Sequence, residues 1–184
     1  NGVENSTVDQ RVGLITYLDT SNLEVENSTF DGNNIAGLSL GPMPPMEENL
    51  LTASYIPTAS NISITGSRFV DNGYFGLFTH SNIDGMDITR TEIKGNYFGI
   101  FFWQETESLP LAQATDSTGS SDISVNYSSI NQSSENYPEY TKPPIPNAGL
   151  VNTTDNTVNA TINWWGAPDG PSADWKWEIG DEFD

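Results

Sequence analysis

The chain has no cysteine, so it can hold neither a disulfide framework nor a thiolate metal site. Basic residues are scarce: 6 Lys and Arg stand against 25 Asp and Glu, a formal net charge of -19. Nucleic-acid binding needs a concentrated basic face and is not expected. A charge this negative suits solubility in salt, cation binding, or both. His80 is the only histidine, so a catalytic triad or a histidine-based zinc site lacks its partners, and the residue reads as a surface histidine at a strand end. No apolar run approaches the length of a bilayer span, so no transmembrane segment is expected. There is no Gly-rich phosphate loop; the glycines recur with a repeat and read as turn residues.

What is present is one phrase written several times. Asn61-Ile-Ser-Ile-Thr-Gly-Ser-Arg-Phe-Val-Asp-Asn-Gly-Tyr-Phe-Gly-Leu-Phe78 is followed by Gly85-Met-Asp-Ile-Thr-Arg-Thr-Glu-Ile-Lys-Gly-Asn-Tyr-Phe-Gly-Ile-Phe-Phe102. Ile64 matches Ile88, Phe69 matches Ile93, Asn72 matches Asn96, and Gly76-Leu77 matches Gly99-Ile100. An earlier copy places Val25, Phe30, Asn33 and Gly37-Leu38 at the same positions, with Gly13-Leu14 before it; Val125, Ile130 and Gly149-Leu150 continue the series. Short alternating apolar and polar runs divided by Gly or Asn describe strands between tight turns, not helices. Repeats of this kind stack and bury a shared core, which predicts an all-β solenoid. Asn33, Asn72 and Asn96 are expected to stack as an amide ladder at a turn, in the left-handed backbone that Asn tolerates.

The whole chain, 1–184, reads as one domain. Repeats occupy about 12–40, 60–102, 122–133 and 147–166, which makes about four to five rungs. Insertions at 41–59, 103–121 and 134–146 are rich in Pro, Ser and acid, and Pro cannot donate to a strand ladder. An acidic tail covers 167–184. The first two insertions leave just after the Gly-Leu strand and are expected to form a lateral ridge. Tyr137 and Tyr140 in the third are candidate contact residues.

Asn-x-Ser/Thr sequons occur at Asn5, Asn27, Asn61, Asn126, Asn131, Asn152 and Asn159. Composition alone gives about four. With no cysteine and few lysines, this predicts a secreted, N-glycosylated protein at the cell surface. The chain begins at Asn1 without Met and shows no signal peptide, so it reads as a processed protein or an excised segment.

The repeats, and above all Asn159-Ala-Thr-Ile-Asn-Trp-Trp-Gly-Ala-Pro-Asp-Gly-Pro171, resemble right-handed parallel β-helix proteins of the pectate-lyase-like superfold. The closest flavour is the NosD-like repeat group of exported proteins. The resemblance covers roughly residues 12 to 170 and implies a single right-handed parallel β-helix whose closing phrase lies at Trp164-Trp165. It implies little about activity, because the superfold hosts lyases, hydrolases, adhesins and inert surface proteins. A lyase of this kind needs clustered acids for calcium with an Arg base, and a galacturonase needs three converging carboxylates with an Asp-Asp pair. No Asp-Asp dipeptide exists here. Asp31, Asp71, Asp84 and Asp87 lie near turns and are weak calcium candidates, without a dedicated loop spacing. Arg68 and Arg90 flank Glu92 as alternative ion-pair partners. No catalytic residue and no cofactor other than calcium is expected.

Trp164 and Trp165 are expected to cover the open end of the core, with Trp175 and Trp177 adding to that cover. The alternative is a sugar-stacking platform. Phe98, Phe101, Phe102 and Trp103 form a further aromatic group, read as core and insertion packing. The reading that follows is a non-catalytic subunit that assembles with itself into a surface layer, sheath or filament through rung edges, insertions and the Trp-rich end. The alternatives are a carbohydrate-active enzyme or sugar-binding module, and an adhesin domain of a larger chain.

Overall fold

The computed structural model describes residues 12–41, 57–103, 123–130, 148–152, 154 and 157–166. These residues are all-β, with no helix. The strands are β1 (Val12–Thr16), β2 (Thr20–Ser21), β3 (Glu24–Glu26), β4 (Thr29–Asp31), β5 (Ala36–Leu40), β6 (Thr58–Thr65), β7 (Arg68–Val70) and β8 (Phe75–Thr79). They continue with β9 (Asn82–Thr89), β10 (Glu92–Lys94), β11 (Phe98–Phe102), β12 (Ile123–Asn126), β13 (Ser129–Ile130), β14 (Ala148–Asn152) and β15 (Val158–Asn159).

Every strand pairing is parallel. The strands form a five-stranded sheet in the order β1-β5-β8-β11-β14 and a four-stranded sheet in the order β13-β10-β7-β4. A six-stranded sheet runs β15-β12-β9-β6-β2, with β3 also on β6. The chain visits the three sheets in fixed rotation, so each repeat adds one strand to each sheet, except that the first gives the six-stranded sheet two short ones, β2 and β3, both paired with β6. Parallel neighbours need a crossover. Here the crossover is made by the other two sheets.

The register follows the side chains. Val25, Ile64, Ile88 and Val125 stand side by side in the six-stranded sheet. Phe30, Phe69, Ile93 and Ile130 do so in the four-stranded one. Leu14, Leu38, Leu77, Ile100 and Leu150 do so in the five-stranded one. These are the correspondences read from the sequence. Leu14 apart, which is exposed, they form the main core: Val25, Leu38, Ile64, Phe69, Leu77, Ile88, Ile93, Ile100, Val125 and Ile130 are buried in it, and Phe30 and Leu150 pack against it partly buried. A slip of one residue would turn each of these side chains to the opposite face, which is why alternation pins the register.

Corners are made by columns of left-handed residues. Asn27, Gly66, Arg90, Tyr127 and Ile162 have φ of 46, 61, 50, 51 and 57° and turn the chain between the six- and four-stranded sheets. Gly32, Asp71 and Gly95 form the next corner, at 64, 51 and 67°. A third column, Asn22, Asn61 and Gly85 (55, 53 and 82°), kinks the six-stranded sheet within its own length. Residues with a Cβ resist this backbone by about 1–2 kcal/mol, and Asn least among them. Tyr127 is 64% exposed, so its ring contributes little packing to offset that cost. Tyr127→Asn should therefore raise stability by about 0.5–1 kcal/mol, read as a higher urea midpoint with an unchanged m-value.

The asparagine ladder is present, with one correction. Asn33 Nδ2 donates to Asn72 Oδ1 at 2.8 Å, and Asn72 Nδ2 donates to Asn96 Oδ1 at 2.9 Å. Backbone N–H groups of Asn33 and Asn72 donate to the same oxygens at 3.2 and 3.0 Å. The left-handed residues are not these asparagines but their predecessors Gly32, Asp71 and Gly95. With the corner supplied one residue earlier, each ladder amide turns inward and bonds across the repeat.

The glycines need a second correction. Gly13, Gly37, Gly76, Gly99 and Gly149 lie within strands of the five-stranded sheet and do not serve turns. A Cβ on Gly37 would stand 2.8 Å from Gly76 O and 2.8 Å from Phe69 Cδ1; one on Gly76 would stand 2.6 Å from Gly99 O and 3.0 Å from Ile93 Cγ2. The glycine column makes room for the Phe/Ile column of the four-stranded sheet. A boundary also moves: β6 begins at Thr58, inside the stretch 41–59 assigned to an insertion. Thr58 N donates to Asp19 Oδ1 at 2.7 Å, and Ala59 pairs with Thr20.

Candidate functional site

The four calcium candidates are not brought together. Asp31 ends β4 and Asp71 follows β7 at a corner, while Asp84 and Asp87 sit on β9 in the six-stranded sheet. All four are exposed. Asp84 pairs in register with Ser60, and Asp87 with Ser63 and Ser124, so hydroxyls stand between the acids where a cation would need carboxylates. Among the described residues no three His, Cys, Asp or Glu lie close enough to share a metal.

The ionic cluster that does form is Arg68–Glu92–Lys94. Arg68 and Glu92 are register partners on β7 and β10, with Arg68 Nε 2.6 Å from Glu92 Oε2; Lys94 Nζ lies 2.6 Å from Glu92 Oε1. Arg90, the alternative partner, is a left-handed corner residue instead. The Lys94 hydrogen bond, then that of Arg68, holds the Glu92 carboxyl below its usual range. Glu92 raises the Arg68 guanidinium in turn. Because the folded carboxyl is the stronger acid, its contribution is full above the ordinary glutamate range and is lost as pH falls through the depressed value. The cluster is solvent-exposed, so Glu92→Gln should cost about 0.5 kcal/mol at neutral pH and nothing at the acid end of the window. Denaturation of both proteins across that window reads the convergence.

The tryptophan pair divides. Trp165 packs against the main core, its ring 3.5 Å from where a Gly149 Cβ would stand. Trp164 does not cover the core: it is 49% exposed. Consecutive residues of an extended chain face opposite ways, and the backbone of Trp164 bonds Ser128 and Ile130, which fixes which of the two turns in. Trp175 and Trp177 lie outside the described residues, as do Tyr137, Tyr140 and the ridge expected from the insertions.

His80 is not on the surface. It is 5% exposed, its ring stacks on Trp103 at 4.8 Å, and its backbone N donates to Leu40 O at 2.8 Å. It ends a strand whose second face is itself buried. Phe78, Phe98 and Phe101 form a cluster separate from the main core, joined by Phe75, Tyr97, Trp103, Ala148 and Val151. Phe102 belongs to the main core instead. Burial raises the Tyr97 phenol above its ordinary range. The signal for this second face was in the sequence: Ala36–Leu40, Phe75–Thr79 and Phe98–Phe102 lack the alternation of a one-sided strand.

The sequons differ in accessibility. Asn27, Asn61, Asn152 and Asn159 are exposed, whereas Asn126 is half-buried. With its amide oriented to donate, Asn126 gives hydrogen bonds to Thr161 O at 2.7 Å and Val125 O at 3.1 Å, and its oxygen accepts from Ser124 Oγ. A glycan takes one of that nitrogen's two hydrogens, so the two donations could not both persist. The side-chain oxygens of Asn152 and Asn159 accept from Thr154 Oγ1 at 2.7 Å and Thr161 Oγ1 at 3.0 Å, the threonines of their own sequons. Asn5 and Asn131 lie outside the described residues.

Comparison of the chain with protein-family models, with curated proteins and with solved structures found no match to any of them.

Proposed function

We propose that the protein is a non-catalytic extracellular structural subunit: a glycosylated, right-handed parallel β-helix of about four to five rungs that assembles with copies of itself into a surface layer, sheath or filament. The observation that carries this reading is the state of the two ends. Among the described residues, β1, β2 and β4 end the sheets on one side; β14, β15 and β13 end them on the other, where Trp164 bridges to Ser129 beyond β13. All the ladders are parallel, so one copy's last strands present to the next copy's first strands the same pattern used within the chain. Leu14, Tyr17 and Leu18 are exposed near the first end; Tyr127, Ile162 and Trp164 are exposed near the last. Contact of unlike ends is heterologous, and where each copy continues the stacking direction of the last it extends into a filament and does not close.

Negative-stain microscopy of the concentrated protein, with and without calcium, tests the reading. Rods or sheets support it, and uniform single particles under both conditions would sink it. Mass spectrometry of protein from its native source should find glycan on Asn27, Asn61, Asn152 or Asn159 and none on Asn126. Bare sequons throughout would remove the glycosylated part of the proposal. The exposure of Trp164 favours a second reading, a sugar-binding module, for which titration with oligosaccharides should quench its fluorescence in the native chain and not in Trp164→Ala.

A further inference from the structure

The two ends of the stack are cut at different heights in different sheets. Among the described residues, the first level holds β1 alone, in the five-stranded sheet; β2, β3 and β4 start the other two sheets one level later. At the far end the stagger runs the other way. β15 and the Ser129–Trp164 bridge give the six- and four-stranded sheets a last level, while the five-stranded sheet stops one level short, at β14. Each sheet thus has five levels, because β2 and β3 share one. One end carries a strand to spare in the very sheet where the other end is a strand short.

We propose that a second copy of the chain supplies that strand: β1 of one copy pairs with β14 of its neighbour and completes a rung that neither copy holds whole. The proposal rests on assembly through the ends, and fixes where the joint falls and in what register. Val12-Gly13-Leu14-Ile15-Thr16 lies against Ala148-Gly149-Leu150-Val151-Asn152, Gly beside Gly and Leu beside Leu, as these strands already lie against β5 and β11. The apolar columns are the first reason. Leu14 is 37% exposed where Leu38, Leu77 and Ile100 of the same column are 0%, and Leu150 is half-buried at the other end. Phe30 is half-buried too, with one face stacked on Phe69. Trp165 follows Ile130 in that column, one residue beyond the Ser129–Trp164 bridge, and the joint lays it on the other face of Phe30. The glycines are the second reason. A Cβ on Gly13, Gly37, Gly76 or Gly99 would run into the carbonyl oxygen of the next glycine in the column, whereas one on Gly149 would meet the side chains of Ile130 and Trp165 at 3.0 and 3.5 Å. Gly13 of a second copy brings that carbonyl and gives Gly149 the same cause to be glycine. Charge is the third. Two outward columns of the six-stranded sheet begin at Glu24 and Glu26 and end at Asn159 and Thr161. Unlike ends therefore set acids beside neutral groups, while two first ends would set acid beside acid.

The chain has no cysteine, so a disulfide can be placed without competition. Across the joint Ile15 and Val151 are register partners on strands about 4.8 Å apart, inside the reach of a disulfide. Within one copy β1 and β14 are the outer strands of the five-stranded sheet, four spacings or about 19 Å apart, so the pair cannot close on itself. The full chain carrying Ile15→Cys and Val151→Cys, oxidised at high concentration, should run on a non-reducing denaturing gel as a ladder of multimers. Each single variant should give dimers at most. Ile15→Cys with Ala148→Cys, three residues out of register, should link at least tenfold more slowly. Val12→Cys with Ala148→Cys, also in register, repeats the test should the first pair fail to fold. Electron microscopy of the linked filaments should show a rise of five levels per copy, about 24 Å. Sedimentation of the native chain alongside separates the joint from the reading beneath it. Native chains that associate while the in-register pairs do not link, an out-of-register pair that links as readily, or a rise of four or six levels would overturn the joint and leave association through the ends standing. A native chain that stays monomeric, with no ladder from either in-register pair, would remove both.

Discussion

Asn72→Ala should lower stability by about 3–5 kcal/mol, more than its small loss of volume explains. Asn72 is 1% exposed and is the middle member of the amide ladder. Its oxygen accepts from the Asn33 side chain at 2.8 Å and the Asn33 backbone at 3.2 Å, while its nitrogen donates to Phe30 O at 3.1 Å and Asn96 Oδ1 at 2.9 Å. Alanine removes one set of partners and strands the other: a buried donor or acceptor left unmade costs about 1–3 kcal/mol. In a domain of this size the loss corresponds to a melting temperature lower by about 10 °C. Asn72→Asp is the sharper control. It keeps the shape but turns an oxygen toward Phe30 O and Asn96 Oδ1, so it should be tolerated better in acid, where the carboxyl is protonated and can donate. If Asn72→Ala melts within a degree or two of the native chain, the ladder does not hold the repeats together.

Phe69→Ala is the second large loss, about 3–5 kcal/mol, the usual range for deleting a buried ring. Phe69 is 0% exposed and lies flat on Phe30, with centroids 4.9 Å apart and planes 4° from parallel. Its ring occupies the space that Gly37 leaves by having no side chain. The void cannot be filled from the glycine side, and the backbones around it are fixed by parallel ladders to both neighbours. Phe30 makes the same stack from nearer the open end and is only half-buried, so Phe30→Ala should cost less. Equal losses from the two substitutions would mean that the ends are as tightly packed as the middle.

The repeat and its register were legible in the sequence, because apolar residues at equivalent positions face the same core and alternation with polar residues fixes which way each one points. Val25, Ile64, Ile88 and Val125 are both the sequence alignment and the observed ladder. Features that depend on a neighbouring repeat were less visible. Asn72 could be read as stacking, but not that Asp71 takes the left-handed position and leaves Asn72 free to turn inward. Glycines within strands look like turn glycines until the Phe69 ring opposite them is in place. His80 looked exposed because a lone polar residue at a strand end normally is; the second buried face of the five-stranded sheet decided otherwise. The acids could be counted but not placed, since convergence on a groove depends on which sheet each corner sends them to. Trp164 and Trp165 could be placed at the end of the core, but which of them turns inward is set by the backbone bonds of Trp164 to Ser128 and Ile130.

These observations leave a scaffold in which the repeated positions hold core and corners, and the unmatched surface lies at the ends. The most direct measurement is sedimentation velocity of the full chain over a wide range of concentrations, beside a Tyr17→Lys, Leu18→Lys variant. Both residues are exposed near the first end, at 64 and 71%, so the substitutions should leave the fold and its melting temperature unchanged. The native chain should give a series of species that lengthens with concentration, and the variant should remain a monomer. A native chain that sediments as a single monomer throughout, or a variant that polymerises as the native chain does, would contradict assembly through the ends.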